Sequence, residues 1–373
     1  MTSRERVRAA LNHQEVDRVP IDFGSTNVSA IHKIAYQNLI QKLNIAHENY
    51  PYLERMTRLV VPCEEILTRF QVDTRGVKLG SSACSVGKQI NENLYVDDWG
   101  IGWEKSASAI NYEGRIFPLA NATTLQEVKQ YKFPLPEQIF SAGNVREQAK
   151  NLYENTDYAI VGSFGSTVFM RAQLLRGYEE FFVDLMLEHD IADYILDSIL
   201  EIRLEALKTL VKECGEYLDV INMADDLASQ TAPLVSMEVY RRFIRPRNAV
   251  LVDYIKSHTK AKVMFHCCGA VSNFIEDFID MGIDILNPVQ PLAKGMETAA
   301  LKEKYGDRIC FWGAIDSQYA LPSGNPELVR QETKRRIADL NRSGGYVACA
   351  SHNIQADVTP ECILAMYETL AGK

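Results

Sequence analysis

The sequence predicts an α/β protein, a single (β/α)8 TIM barrel that carries a β-hairpin-containing insertion after its second strand. Three observations favour this fold. Eight short apolar or β-branched runs alternate with helical segments, no glycine-rich phosphate loop follows the first run, and no Gly/Ser linker divides the 373 residues. We therefore expect one domain over residues 1–373, with the insertion at 79–157 extending one rim of the barrel.

The eight runs are too short for most helices and fit buried parallel strands. In chain order they occupy residues 18–23, 72–77, 158–161, 218–223, 262–266, 284–286, 309–313 and 346–350. Inside the insertion, the turn signals 97–100 (DDWG) and 112–115 (YEGR) flank alternating residues and predict the β-hairpin.

Segments with helical spacing of apolar residues follow most of these runs. They cover residues 181–214, 237–257, 271–281, 326–341 and 360–370. Ser236 precedes one helix as an N-cap candidate, and Asn325 and Thr359 each stand before a proline at the first helical position. Gly282 and Gly306 lie where helices should end.

Composition narrows the function classes. Forty Lys and Arg residues against 49 Asp and Glu residues give a net charge of −9, and the longest basic cluster, 334–336, lies in a charged helical pattern, so we expect no nucleic-acid partner. No apolar run reaches the ~18 residues of a membrane span, and the N-terminus resembles no signal peptide, which predicts a cytoplasmic protein without a membrane partner. The eight cysteines then favour metal binding or burial over disulfides.

Two strand ends carry soft or borderline metal donors. His266 and Cys268 are two residues apart at the end of the fifth run, and residues i and i+2 of an extended segment point the same way, which suits zinc. Cys349 and His352, at the end of the eighth run, lie across the barrel mouth and are both candidates for a third ligand. The alternative is that the cysteines are small buried hydrophobes and His266 a hydrogen-bonded core residue.

Other strand ends supply candidate polar site residues, because the working residues of barrel enzymes stand at the carboxyl ends of strands. Asn222, Asp225 and Asp226 follow the fourth run and suit ligand orientation or acid–base work, with a helix cap or a solvated loop as the alternative. Ser163 lies in a small-residue turn after the third run. Asp22 lies near the end of the first run, where it belongs either to the floor of the barrel mouth or to a turn.

Several motifs resemble the uroporphyrinogen decarboxylase superfamily over nearly the whole chain. They are residues 4–12 (RERVRAALN), 17–20 (DRVP), 224–227 (ADDL) with Gln230 and Ser236, 266–269 (HCCG), and 351–355 (SHNIQ) followed by Pro360. The resemblance implies the (β/α)8 fold and one of two chemistries. One branch decarboxylates porphyrinogens without a metal, and the other comprises zinc-dependent methyltransferases that exchange a methyl group with a corrinoid protein.

The sequence resembles the methyltransferase branch more closely than the decarboxylase branch. The decarboxylases carry an arginine-rich motif after the first strand, where this chain reads 23–28 (FGSTNV), and without cations a polycarboxylate would bind badly. The resemblance implies zinc held by His266, Cys268 and a third ligand, with His352 standing where the family has cysteine and Cys349 three residues earlier. The alternatives are a porphyrinogen decarboxylase and a non-catalytic binding protein on the same fold.

The resemblance also implies roles for the remaining candidates and for partners. We expect Asp225 and Asn222 to be catalytic, and Asp22, Ser163, Asp226 and Gln230 to bind substrate, which would be a small methylated donor or a thiol acceptor. The corrinoid (cobalamin) would be carried by a partner protein that docks near Trp99 and Trp103, unless these aromatic residues form the local core of the insertion. Arg171 and Arg176 are the arginines that a decarboxylase would have to use instead of the missing motif.

Overall fold

The computed structural model describes residues 1–106 and 109–373. Its strands are β1 (Ile31–His32), β2 (Leu59–Val60), β3 (Thr74–Lys78), β4 (Gly80–Ser81), β5 (Lys88–Gln89), β6 (Leu94–Val96), β7 (Gly102–Glu104), β8 (Glu113–Ile116), β9 (Phe140–Ser141), β10 (Ala159–Ser166), β11 (Val220–Ala224), β12 (Lys262–His266), β13 (Ile285–Asn287), β14 (Cys310–Ile315) and β15 (Tyr346–Ala350).

The α-helices are α1 (Ser3–Leu11), α2 (Lys33–Leu43), α3 (Glu64–Arg69), α4 (Leu125–Gln130), α5 (Pro136–Ile139), α6 (Val145–Asn155), α7 (Phe169–Arg176), α8 (Tyr178–Leu187), α9 (His189–Cys214), α10 (Met237–Val239), α11 (Arg245–His258), α12 (Ile275–Met281), α13 (Thr298–Tyr305), α14 (Pro326–Leu340) and α15 (Pro360–Leu370). A π-helical turn, Tyr240–Ile244, joins α10 to α11. The predicted caps are present, since the side chains of Ser236, Asn325 and Thr359 accept backbone hydrogen bonds at three helix starts.

Seven parallel strands form the main sheet, in the order β15, β14, β13, β12, β11, β10, β3. Neighbours in space are also successive parallel strands along the chain, with helices in the connections. This confirms the predicted α/β class with a parallel sheet. Seven of the eight predicted runs coincide with these strands, shifted by a few residues at their ends.

The first predicted run, 18–23, is not a regular strand, and this correction has a local cause. Only Ile21 bridges to Ala348 of β15. Pro20 has no N–H to donate, and the N–H of Ile21 donates to the Asp73 carboxylate at 2.8 Å instead of to a backbone carbonyl. The segment still bonds on both sides, from Asp22 N to Ala348 O at 3.0 Å and from Asp73 N to Ile21 O at 2.8 Å.

An antiparallel sheet of four short strands, β5 to β8, lies in the connection between β3 and β10. The predicted turn at 97–100 joins β6 to β7, where Asp97 Oδ1 accepts from the N–H groups of Trp99 and Ile101. The turn predicted at 112–115 is wrong, because Glu113–Ile116 is β8. Gly114 serves close packing there, since a Cβ on it would lie 3.1 Å from the Leu174 side chain.

The strands of the main sheet bury both faces, as expected for a parallel sheet covered by helices. Alternate residues, including Met264, Ile285 and Trp312, pack with Val7 and Leu11 of α1 in one core, and the other residues pack against the helices in a larger core. The backbone of α1 accepts a hydrogen bond just before β15, from Gly345 N to Ala10 O. Helix α1 thus covers the amino ends of the strands and leaves the carboxyl ends for a site. In the described residues, no helix is long and apolar enough to cross a bilayer.

Candidate functional site

A cavity of about 620 Å³ lies at the carboxyl ends of the parallel strands. Ser163, Asn222, Asp226, His266 and His352 line it, and each lies in the middle or the carboxyl half of a strand or within two residues after its end. This is the end of the sheet at which barrel enzymes carry their working residues.

Three potential metal ligands meet beside this cavity. One donor atom from each of His266, Cys268 and His352 lies within 4.8 Å of the other two, and His266 Nε2 is 3.3 Å from Cys268 Sγ. His266 ends β12 with Cys268 two residues later, and His352 follows β15 from across the sheet. The structure thus brings together the two strand ends that the sequence singled out.

Asn287 fixes the orientation of the His266 ring. Its Oδ1 lies 2.6 Å from His266 Nδ1, and its Nδ2 donates to the Trp312 carbonyl at 3.1 Å. Because the amide nitrogen is used in this way, Oδ1 is the acceptor and Nδ1 carries the proton, which leaves Nε2 free to bind a metal. Asn287 is not among the candidates from the sequence, although it ends β13, where the strand-end rule places working residues.

Asp226 supports the turn that carries Cys268. Its Oδ1 accepts from Cys268 N at 2.9 Å and lies 3.8 Å from His266 Nε2. Burial, together with the Asp226 charge, raises the pKa of the Cys268 thiol well above its usual value. Burial also lowers the pKa of His352 to about 4, helped by the nearby His266, so His352 is neutral at pH 7. A neutral imidazole is the form that ligates metals.

Cys349, the alternative third ligand, lies elsewhere. It is buried among Trp312, Met264 and Val347 in the core between the strands, and burial raises the pKa of its thiol. It does not belong to the ligand group. The geometry therefore favours His352.

Asp225, which the sequence analysis expects to be catalytic, does not line the cavity. It is fully buried, and its carboxylate accepts from Thr167 Oγ1 at 2.5 Å, Phe169 N at 2.9 Å and Met170 N at 2.8 Å. Burial raises its pKa to about 6 despite these donors. The side chain therefore holds the start of α7, which agrees with the helix-cap alternative.

We accordingly predict that Asp225→Ala lowers stability more than it impairs the site. The change leaves two backbone N–H groups and one hydroxyl without their acceptor, which should lower the free energy of unfolding by about 2–4 kcal/mol. Urea denaturation would show a lower midpoint with an unchanged slope. The metal content per folded chain should stay constant, and a loss of methyl transfer in a variant of unchanged stability and metal content would instead support the catalytic role.

Two predicted substrate-binding residues also lie outside the cavity lining. Asp22 is fully buried and accepts from Thr74 Oγ1 at 2.6 Å and Trp312 Nε1 at 2.9 Å, which makes it a structural residue of the floor. Gln230 lies on the loop after β11, and its Nε2 donates to Gln318 Oε1 at 2.6 Å. The structure therefore does not place these two residues in the cavity lining, whereas Ser163, Asn222 and Asp226 do line the cavity.

Trp99 and Trp103 are not a docking face. They are 3% and 7% exposed, respectively, and both line the cavity from the side of the insertion. Trp103 Nε1 donates to Asp97 Oδ2 at 2.9 Å. The alternative, that they form local core, agrees with the structure.

The cavity contains cations that the sequence argument had excluded. Arg55, Lys78, Arg171 and Arg203 line it, so the absence of arginine from residues 23–28 does not leave the site without positive charge. Arg176 is different, because it is buried away from the cavity and paired with Asp184 at 2.7 Å. Apart from Arg171, no local pattern in the sequence marked these cations.

Comparisons with known proteins agree with this architecture. The model of the family "Uroporphyrinogen decarboxylase (URO-D)" matches residues 110–372. The structure resembles a methyltransferase from Methanosarcina mazei, with a TM-score of 0.68 and 19% identity over 100% of this chain and 99% of that one. A 7,8-dihydropteroate synthase from Vibrio fischeri ES114 matches 40% of this chain and 55% of its own at 18% identity, with a TM-score of 0.29 that is too low to indicate a shared fold. No curated protein sequence matches the chain.

Proposed function

The chain belongs to the uroporphyrinogen decarboxylase family, and on that premise we propose that it is a zinc-dependent methyltransferase that exchanges a methyl group between a small substrate and a corrinoid protein. The observation that carries the proposal is the meeting of His266, Cys268 and His352 beside the cavity. The similarity to the methyltransferase from Methanosarcina mazei supports a common fold.

The ligand group fits zinc. Zinc–nitrogen and zinc–sulfur bonds of about 2.0 and 2.3 Å in a tetrahedral site separate the ligand atoms by roughly 3.3–3.8 Å, and His266 Nε2 and Cys268 Sγ are 3.3 Å apart. Three protein ligands leave a fourth position, which is typical of catalytic rather than structural zinc. Zinc bound there would supply the Lewis acidity that lowers the pKa of a thiol or polarises the leaving atom of a methyl donor.

Residues around the ligands would orient the substrate. Asn222 Oδ1 is buried and has no hydrogen-bond partner among the residues described, and Asn222 lines the cavity with Ser163. An unpaired buried acceptor is costly unless a ligand donates to it. We assign both residues to substrate binding, with Asn222 close to the reacting group, and Asp226 to holding the His266–Cys268 turn.

We further infer that the sheet closes into an eight-stranded barrel within a single domain of residues 1–373. Segment 20–22 bonds to β15 on one side and to Asp73, next to β3, on the other, and β15 and β3 are the two edges of the seven-stranded sheet. The segment therefore takes the place of the eighth strand. Residues 79–157, between the second and third of these strands, would then extend the rim.

The small substrate and the corrinoid would reach the site differently. A cavity of about 620 Å³ holds a small molecule, whereas a corrinoid with its nucleotide tail is too large for it. We infer that a partner protein presents the corrinoid at the mouth of the cavity while the methylated donor or thiol acceptor lies inside.

The proposal predicts zinc-dependent methyl transfer. Incubation of the zinc-loaded chain with methylcobalamin or a reduced corrinoid, and with thiols and aryl methyl ethers, should interconvert methylated and reduced cobalt, which the visible spectrum reports. The metal-free chain is the control and should be inactive. Equal rates with and without zinc would contradict the proposal.

A porphyrinogen decarboxylase is the second candidate, and the cations Arg55, Lys78, Arg171 and Arg203 in the cavity favour it. This reaction needs no metal in the family. Conversion of uroporphyrinogen to coproporphyrinogen by zinc-free protein would therefore establish the decarboxylase. It would leave the His266, Cys268 and His352 group without a role in the reaction.

A further inference from the structure

Arg203 is a buried cation that has neither a hydrogen-bond partner at Nε nor a close carboxylate among the described residues. It lies on α9, is 5% exposed, and its guanidinium stands 5.2 Å from the centre of the Trp99 ring. Its Nε is buried without a hydrogen bond, and no carboxylate among the described residues lies within salt-bridge distance of it. Because burying an unpaired charge is expensive, this arrangement indicates a missing anionic ligand.

Arg171 approaches the same ring. Its guanidinium is 5.0 Å from the centre of the Trp99 ring, and its Nε is also buried without a partner. Its nearest carboxylate is Asp97, at 3.5 Å. That carboxylate already accepts from Trp103 Nε1 through the same oxygen, and from two backbone N–H groups through the other.

Arg203 lacks a close counter-charge among the described residues. Burial and the neighbouring Arg171 lower its pKa to about 9, so its guanidinium is cationic at pH 7. Asp97 lies within salt-bridge distance of Arg171, whereas Asp97 and Asp225 act on Arg203 only from beyond that distance. Both arginines line the cavity that His266 and His352 also line, so an anion bound there shares the cavity with the metal ligands.

We propose that Arg171 and Arg203 form a subsite for a single carboxylate of the small substrate. A planar guanidinium binds a planar carboxylate through two parallel hydrogen bonds, and one carboxylate would give Arg203 the close anionic partner that it lacks. The statement that this carboxylate belongs to the methyl donor or acceptor rests on the proposed function. The subsite itself rests only on the two arginines, Trp99 and Asp97.

Calorimetric titration tests the subsite without methyl transfer. The probes are 4-methoxybenzoate and 3-mercaptopropionate, each compared with its neutral amide, and each is titrated into zinc-free and zinc-loaded protein. We expect each carboxylate to bind about 10- to 100-fold more tightly than its amide, because this ratio corresponds to the free energy that charge-assisted hydrogen bonds contribute. Equal affinities, or no binding of either carboxylate, would overturn the proposal.

Arg203→Met should abolish this preference while the zinc content stays unchanged. It should also leave the melting temperature equal or higher, because it removes an unpaired buried charge, whereas a purely structural arginine would lower it. Arg171→Met is the second variant, and Arg146→Met, at an exposed ion pair with Glu216, is the control that should keep the preference. An unchanged preference in both Arg203→Met and Arg171→Met would contradict the assignment.

The outcomes separate this inference from the proposed function. A carboxylate preference that depends on Arg203 in zinc-free protein, together with no zinc-dependent methyl transfer, would support the subsite and contradict the methyltransferase. Zinc-dependent methyl transfer without a carboxylate preference would do the reverse.

Discussion

Cys268→Ala is expected to remove bound zinc and to lower methyl transfer by about 1000-fold or more. Cys268 Sγ lies 3.3 Å from His266 Nε2 in the ligand group, and without the thiolate only two imidazoles remain. The Lewis acidity of a metal is worth several kcal/mol in the transition state, and a loss of about 4 kcal/mol corresponds to three orders of magnitude in rate.

His352→Ala should have the same consequence, and Cys349→Ala is its matched control. Cys349 is three residues away and just as close to the end of β15, but it packs in the core with Trp312. We therefore expect zinc analysis to find the metal absent from His352→Ala and present in Cys349→Ala. The control should show only the cost of a small cavity, about 1 kcal/mol.

Circular dichroism and zinc analysis on the same samples keep the test independent of folding. Full zinc occupancy in folded Cys268→Ala and His352→Ala would refute the ligand assignment. Zinc loss in Cys349→Ala, with full zinc occupancy in His352→Ala, would show that Cys349 is the third ligand.

The meeting of the three proposed metal ligands could be inferred from the sequence because their geometry is local. A two-residue spacing at a strand end places His266 and Cys268 on one side, and parallel strands bring their carboxyl ends to one edge. The alternation of strands and helices that predicts this edge is also a local property. Asn287 follows from the same rule, once the end of β13 is known.

Other parts of the site depend on packing that a pattern does not reveal. Asp225 and Asp226 are adjacent and alike in sequence, yet one caps α7 and the other lines the cavity. Arg203 lies in the middle of α9, a helix of 26 residues, and only the tertiary packing of this helix brings its guanidinium to the cavity, 5.2 Å from the Trp99 ring. The inference from residues 23–28 that the cleft lacks cations failed for this reason.

Asp73→Ala is expected to lower the free energy of unfolding by about 3–5 kcal/mol, the typical cost of breaking a buried ion pair. Asp73 is fully buried. Its carboxylate accepts from Arg6 and Arg18, each at 2.7 Å, and from Ile21 N at 2.8 Å. The change leaves two guanidinium groups without this partner and the N–H of Ile21 unpaired.

The loss should be larger than at a comparable exposed carboxylate, because Asp73 secures the segment that lies between the two edges of the sheet. Asp17 is the matched control, since it also binds Arg6, at 2.6 Å, but its side chain is 44% exposed. Asp17→Ala should cost about 1 kcal/mol or less, as exposed ion pairs do. Urea denaturation compares the two variants, and similar midpoints would contradict a special role for Asp73. If segment 20–22 completes the barrel, hydrogen exchange at Asp22 N and Ala348 N should also accelerate in Asp73→Ala and remain slow in Asp17→Ala.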